Sequence, residues 1–177
     1  MKLPAFAYHR AETLADAAAV LAERAGEARV LAGGQSLLPV MALRMSHPGT
    51  LVDITSAHDL QTHQVGEVVR VPAAVTARTL ETDPAVARAH PLLTACLAEV
   101  GHVEIRTRGT VCGSLAHADP AAEMPALALA TGGVLELVST RGSRRVPAAD
   151  FVTGPYMTAI DDDELVEITP KAIRLRK

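Results

Sequence analysis

The stretch VLAGGQSLLP, from Val30 to Pro39, carries a Gly-Gly pair and a serine directly ahead of an apolar run. A second stretch of the same kind, RGTVCGSLAHADPAAE, runs from Arg108 to Glu123. Backbone N–H groups that stay unpaired at such turns can hold a diphosphate. Two such turns in one chain predict two lobes that grip one long, phosphate-bearing cofactor. Taken singly, each stretch could also be a simple tight turn.

Neither stretch fits the two best-known phosphate-binding patterns. The spacing of the glycines matches neither GxGxxG nor GxxxxGK[ST], so neither a Rossmann dinucleotide site nor a P-loop is predicted.

Together the two stretches resemble the FAD-binding medium subunit of molybdenum hydroxylases, a family that includes flavoprotein subunits of bacterial carbon monoxide dehydrogenases and xanthine dehydrogenases. The resemblance extends to FAYHRAETLADAAAVL near the start, LVDITSAHDL in the middle and FVTGPYMTAIDDDELVEI near the end. It implies an α+β, two-lobed FAD-binding fold with the cofactor cleft between the lobes. We expect residues 1–57 to form an N-terminal α/β lobe and residues 58–177 a second α+β lobe. The family's C-terminal domain is expected to be absent from these 177 residues.

The resemblance also implies where FAD binds. The first segment would wrap the pyrophosphate, with glycines that take positive φ and admit a phosphate close to the backbone. The second segment would add hydroxyl and backbone donors from the opposite lobe, and two carboxylates would accept hydrogen bonds from the ribityl hydroxyls. The predicted cofactor-binding residues are Ala32, Gly33, Gly34, Gln35, Ser36, Leu37, Thr110, Val111, Cys112, Gly113, Ser114, Asp119 and Glu123.

Several of these residues have a second interpretation. Ser36 could cap the helix that follows it, and Asp119 could cap a helix beginning near Ala121, with Glu123 in its first turn. Cys112 stands where the family commonly has glycine, so it is strained if φ is positive there and only a small structural residue if φ is negative. Pro72 also replaces a common glycine, and its missing N–H predicts a strand end or edge.

No residue is predicted to act as a catalytic acid, base or nucleophile, and no metal site is predicted. His117 lies inside the second stretch, but no base–nucleophile pair accompanies it. The two cysteines, Cys96 and Cys112, are too few for an iron–sulfur cluster, which takes four thiolates, and they lack a CxxC spacing. We therefore expect two reduced thiols in a cytoplasmic protein.

Composition excludes other classes of function. Hydrophobic residues make up 49% of the chain but aromatics only 2%, so Ala, Val and Leu must form the core. No 18-residue apolar run predicts a membrane helix, and the N-terminus has no apolar core of a secretory signal. A net charge of −3, with no basic run among aromatics, argues against nucleic acid as a partner.

If the family role holds, the chain relays electrons. They would arrive from an iron–sulfur small subunit beside a molybdenum-cofactor large subunit, and leave to NAD⁺, a quinone or dioxygen. The alternatives are a diverged, non-redox ligand-binding or scaffold protein, and a stand-alone flavoenzyme.

Local patterns predict most of the secondary structure. Thr13 should cap a helix that ends near Gly26, and Thr76 a short helix ending at Glu81. A hairpin is expected around residues 140–143. The other predicted strands are 2–8, 28–31, 51–54, 68–71 and 165–168, and the other predicted helices are 37–45, 91–100 and 123–130.

Overall fold

The computed structural model describes residues 3–169 of the chain. Within them, the strands are β1 (Ala7–Arg10), β2 (Ala28–Leu31), β3 (Thr50–Asp53), β4 (Gln64–Val65), β5 (Val69–Arg70), β6 (Val134–Ser139), β7 (Gly142–Pro147), β8 (Val152–Gly154), β9 (Met157–Thr158) and β10 (Leu165–Thr169). The helices are α1 (Leu14–Glu23), α2 (Leu37–Ala42), α3 (Ala77–Glu81), α4 (Pro84–Ala89), α5 (Pro91–Glu99), α6 (Val103–Arg106), α7 (Val111–His117), α8 (Glu123–Ala130) and α9 (Ala148–Phe151).

The N-terminal part is a small α/β layer. Its three strands are parallel in the order β1-β3-β2, so the chain crosses over twice, through α1 and α2. Thr13 caps α1, because its hydroxyl accepts the N–H of Asp16. Ala17, Ala18 and Leu21 form the buried stripe of α1, which packs against the sheet. This places the loop after β2, which contains Gly33 and Gly34, at the carboxyl edge of a parallel sheet.

The second half combines helices with an antiparallel sheet in the order β10-β6-β7. The tight hairpin turn at Thr140–Arg141 joins β6 to β7, as predicted. Helix α1 also packs against β6, so one continuous hydrophobic core runs through residues of both halves. Phe151, Leu135 and Leu137 are among its fully buried side chains. The combination of helices and sheets confirms the α+β prediction, whereas the division at residue 57 stays a prediction.

The predicted elements are mostly present, with shifted ends. Pro72 follows Val71, which comes directly after β5 and is bridged to Ile168, so Pro72 lies at the end of this strand region as predicted. Strand β1 begins at Ala7 and extends to Arg10, later than the predicted segment 2–8. Residues 1–2 and 170–177, which were predicted to belong to the two lobes, lie outside the described residues.

Two predictions about helices are wrong. The helix expected over residues 37–45 ends at Ala42, because Arg44 takes a φ of +63°, which no right-handed helix accommodates. Ser36 does not cap this helix, since its own backbone is helical and its hydroxyl makes no capping bond. Helices α4, α6, α7 and α9 were not predicted, because each has only four to seven residues, too few for a repeating pattern of apolar positions.

Candidate functional site

All thirteen residues predicted to bind the cofactor line one cleft of about 740 Å³. The volume is in the range of natural ligand sites, which hold drug-sized or larger molecules. One wall is formed by the loop after β2 and by α2, and the other by α6, α7 and the hairpin of β8 and β9. Sequence positions about seventy residues apart therefore meet in one concave site.

The two glycine-bearing stretches touch each other through their backbones. A Cβ added at Gly33 would stand 2.0 Å from the carbonyl oxygen of Arg108 and 2.7 Å from the Cα of Gly109. Gly33 does not take a positive φ, so that part of the prediction is wrong for this residue. Glycine is required at position 33 because the Arg108 backbone approaches closely, whereas the sequence analysis expected a phosphate to approach there.

Gly34 does adopt the left-handed conformation, with a φ of +71°. This turn leaves the backbone N–H groups of Gly34, Gln35 and Ser36 without an acceptor among residues 3–169. Three successive N–H groups of this kind are the donor set that binds anions such as diphosphate. One N–H of the Gln35 side-chain amide donates to the carbonyl of Gly33 at 3.0 Å and braces the loop, and its second N–H is the donor that the prediction assigns to the ligand.

The second stretch is a helix start and not a free glycine turn. Thr110 is the N-cap of α7, and its hydroxyl accepts the N–H of Gly113 at 3.0 Å. A Cβ on Gly113 would stand 2.7 Å from that hydroxyl oxygen, which explains the glycine. The prediction that the Gly113 N–H donates to the cofactor is therefore wrong, because the helix cap already uses this donor. The Thr110 hydroxyl proton and the Ser114 hydroxyl can still donate toward the cleft.

Cys112 lies on α7 with a negative φ, so replacing the family's glycine by cysteine causes no strain here. Its side chain is buried, and its Sγ donates to the carbonyl of Val71 at 3.3 Å. The structure thus favours the structural interpretation of this residue, because its sulfur is directed to the strand region behind the helix.

The two predicted carboxylates are in different situations. Asp119 accepts the N–H of Ala121 at 2.9 Å through one oxygen, in the turn before α8, and it does not cap that helix. Glu123 is the first residue of α8, where the helix dipole favours a negative charge. Burial raises the pKa of the nearby Cys96 thiol, and the negative charges of Glu123 and Glu99 raise it further.

Sequence reasoning missed several residues of the cleft. The hairpin tip contributes Tyr156 and Met157, which are 59% and 61% exposed, and β2 contributes Arg29. Arg29 approaches Asp162 at 3.5 Å from the opposite wall. The sequence did contain a signal for two of them, because Tyr156 and Asp162 lie inside the FVTGPYMTAIDDDELVEI segment that resembles the family. Only the fold, however, brings this segment to the glycine loops.

One ion pair stabilises the loop at the end of this wall. Arg144 donates to both carboxylate oxygens of Glu164 at 2.7 Å, and the Asp161 N–H donates to the same carboxylate at 2.8 Å. Burial acts to raise the pKa of Glu164, but these hydrogen bonds outweigh it and hold the pKa below its usual value. Glu164 is therefore a carboxylate at neutral pH, and it fixes the position of Asp161 and Asp162.

Residues 3–169 contain neither a cluster of metal ligands nor a helix that could span a membrane. Within this range, no three His, Cys, Asp or Glu side chains lie close enough together to hold a metal ion. In the same part of the chain, every helix is too short or too polar to cross a bilayer.

Residues 4–169 match a family described as the FAD binding domain in molybdopterin dehydrogenase. The chain is 41% identical over 167 residues to the nicotine 6-hydroxylase medium subunit of Paenarthrobacter nicotinovorans, which covers 94% of this chain and 59% of that protein. It is 36% identical over 167 residues to the carbon monoxide dehydrogenase medium chain of Hydrogenophaga pseudoflava, which covers 93% of this chain and 58% of that protein.

Solved structures agree with these matches. Quinoline 2-oxidoreductase from Pseudomonas putida 86 superposes with a TM-score of 0.94 at 41% identity, over 98% of this chain and 61% of that one. The chain thus spans less than two thirds of the length of the relatives it matches. The matches confirm the predicted resemblance and the predicted cofactor, FAD.

Proposed function

Because this chain belongs to the family of FAD-binding domains in molybdopterin dehydrogenases, we propose that it is the flavoprotein part of an oxidoreductase. In this role it relays electrons from an iron–sulfur small subunit to an acceptor. The substrate is oxidised at the molybdenum cofactor of a large subunit. Both subunits are inferred from relatives that are themselves named as a carbon monoxide dehydrogenase medium chain and a nicotine 6-hydroxylase medium subunit.

A single observation carries the assignment of the cofactor site. The N–H groups of Gly34, Gln35 and Ser36 have no acceptor among residues 3–169, and they lie on a cleft large enough for a dinucleotide. Anionic oxygens satisfy such donors with little reorganisation, because the backbone already holds them in place. The pyrophosphate of FAD supplies these oxygens.

The other residues of the site would hold and orient the cofactor. Thr110 and Ser114 offer hydroxyl donors from α7, and Asp119 keeps one carboxylate oxygen free of the Ala121 N–H bond for a ribityl hydroxyl. Bound FAD supplies the electron-transfer chemistry, and the protein supplies binding, orientation and exclusion of water. No side chain of the cleft is assigned a proton-transfer step.

Reconstitution tests the cofactor site directly. The purified chain is incubated with excess FAD, desalted and denatured, and the released flavin is identified by chromatography and absorbance. We expect about one FAD per chain, released without covalent attachment. A chain that stays colourless after this treatment overturns the proposal and favours a non-redox ligand-binding or scaffold protein.

A pair of glycine variants locates the site. Gly34→Val places a Cβ at a φ of +71° in the loop that lines the cleft, 2.9 Å from the flexible end of the Leu38 side chain, and Gly132→Val places the same side chain at a φ of +59° where no atom lies within 4 Å. Both variants carry the backbone strain of a left-handed position. We expect only Gly34→Val to lose FAD while its circular dichroism spectrum is retained. Equal FAD affinity in the two variants contradicts the assignment of this turn.

The relay requires a partner, because two cysteines cannot supply the four thiolates of a cluster. Stopped-flow reduction of the bound flavin by NADH is measured with the chain alone and with iron–sulfur and molybdenum subunits of a relative. We expect slow reduction by the chain alone and faster, substrate-dependent reduction in the complex. Rapid turnover by the lone chain would indicate a stand-alone flavoenzyme.

A further inference from the structure

Two aromatic rings meet on the wall of the cleft, at the end of α7. The ring centroids of His117 and Tyr156 are 5.2 Å apart, and the ring planes are inclined by 53°. Such a tilted arrangement is a favourable geometry for aromatic pairs. Both residues line the cleft, and Tyr156 remains 59% exposed there. The pair thus leaves ring surface available to a ligand.

The backbone under these rings has an uncommon conformation. Tyr156 has a φ of +57° and Ala118, which follows His117, has a φ of +49°. The N–H of Tyr156 donates to the carbonyl of Ala118 at 2.9 Å, so the two left-handed residues are joined. A bulky residue with positive φ is rare and is held only where the surroundings require it. This link fixes the hairpin tip to α7 and sets the position of the Tyr156 ring.

The ring pair is also at a suitable distance from the glycine loops. Gly33 packs against Gly109 beside the start of α7, whereas His117 is its last residue. His117 lies six positions after Val111 in the helix, which corresponds to about 9 Å along the wall. Each ring system of FAD is joined to the diphosphate by a sugar or ribityl linker, which spans a comparable length.

We propose that Tyr156, positioned by His117, stacks against a flat heteroaromatic ring of the bound cofactor and determines affinity for it. This inference rests on the proposed function and assigns a role to a residue outside the two glycine-bearing stretches. The shared chemistry is a planar heterocycle, which is supplied either by the isoalloxazine or by the adenine of FAD. Tyr156 presents a ring to this heterocycle, and its hydroxyl is not required.

The test compares four forms of the chain: wild type, Tyr156→Leu, Tyr156→Phe and Tyr8→Leu. Tyr8 is a matched control, because it is the other tyrosine of the chain, is 54% exposed and lies outside the cleft. For each form, the Kd for FAD and the fluorescence of the bound flavin are measured, and circular dichroism verifies folding. Loss of one ring stack should weaken FAD binding by about tenfold in Tyr156→Leu.

The outcomes separate the two rings and the two proposals. A higher Kd and a brighter bound flavin in Tyr156→Leu identify the isoalloxazine as the stacked ring, because a stacked tyrosine quenches flavin emission. A higher Kd with unchanged flavin emission in the same variant identifies the adenine. Tyr156→Phe and Tyr8→Leu should bind like wild type. Unchanged Kd and emission in Tyr156→Leu, or an equal loss in Tyr156→Phe, overturns the inference. Failure of the wild type to bind FAD contradicts the proposed function itself.

Discussion

Gly33 and Arg108 lie so close together that a Cβ on Gly33 would stand 2.0 Å from the Arg108 carbonyl oxygen. This contact joins the loop after β2 to the segment that leads into α7. Since no side chain fits between the two backbones, it holds the two walls of the cleft at one fixed separation.

Gly33→Ala should therefore destabilise the protein by about 3 kcal/mol, at the upper end of overpacking effects, because the new methyl group meets backbone atoms. Urea unfolding monitored by circular dichroism measures the change. Gly49→Ala is the control, since its added Cβ meets nothing closer than 3.6 Å and should alter stability by less than about 0.5 kcal/mol. Equal stability of the two variants would mean that the walls can separate freely.

Thr110→Val removes the hydroxyl that accepts the Gly113 N–H while keeping the shape of the side chain. Loss of this cap should cost about 1 kcal/mol of unfolding free energy. Thr110→Ser retains the oxygen and should remain near the wild-type value in the same chemical denaturation experiment. A Val variant as stable as the Ser variant would show that the hydroxyl is not the cap that matters.

Arg106→Met tests a buried ion pair beside the cleft. Arg106 pairs with Glu81 at 2.9 Å, with side chains that are only 9% and 13% exposed, and it also donates to the carbonyls of Val100 and Gly101. Removing this cation should cost about 2 kcal/mol, because the carbonyls of Val100 and Gly101 lose their donor and Glu81 keeps only the more exposed Arg78 as a partner.

The control for this variant is Arg78→Met. Arg78 contacts the same carboxylate at 3.1 Å but is 42% exposed, so its loss should cost less than about 1 kcal/mol. Because the hydrogen bond from Arg106 is the largest contribution that lowers the pKa of Glu81, its pKa should rise in Arg106→Met more than in Arg78→Met. NMR titration of the Glu81 carboxyl checks this order, and the reverse order would refute it.

Glu164→Gln probes the dependence of stability on pH. A carboxyl whose pKa is lower in the folded than in the unfolded state stabilises the fold above its unfolded pKa, and this stability is lost as the pH falls through the folded value. Glu164 is of this type, with its pKa held below the usual 4.5. At pH 7 the variant should be about 1–2 kcal/mol less stable, because charge-assisted bonds from Arg144 are weakened.

The difference between wild type and Glu164→Gln should shrink as the pH is lowered below about 4.5, since the wild-type carboxyl then becomes protonated. Thermal unfolding at a series of pH values records this. Glu23→Gln, at a side chain that is 69% exposed, should follow the wild-type profile throughout. A constant difference at all pH values would assign the effect to packing rather than to charge.

Local rules predicted much of the fold because they depend on neighbours in the chain. The caps at Thr13 and Thr76 and the hairpin at Thr140–Arg141 were predicted from patterns of three or four residues, and the structure contains them. The short helices α4 and α6 were missed because such local rules need a longer pattern of residues. They have too few apolar positions to produce a period, and tertiary packing stabilises them.

The thirteen residues singled out in the sequence line one cleft, and their binding of FAD stays a prediction. The reason for each glycine was not predicted from sequence. Gly34 has the positive φ that its turn suggested, but Gly33 is required by Arg108 and Gly113 by the Thr110 hydroxyl. These contacts join residues that lie far apart in the chain or opposite a helix cap, and sequence spacing does not specify them.

By itself, the sequence determined the family, the cofactor and the two segments that line the cleft, because small residues, hydroxyls and turn signals are written locally. Only the tertiary structure decided that Tyr156 stands beside His117, that Arg29 approaches Asp162, and that Gly33 meets Arg108. Each of these relations depends on how elements pack across a shared core. The free energy of that packing is distributed over many buried side chains, and no short pattern of residues encodes it.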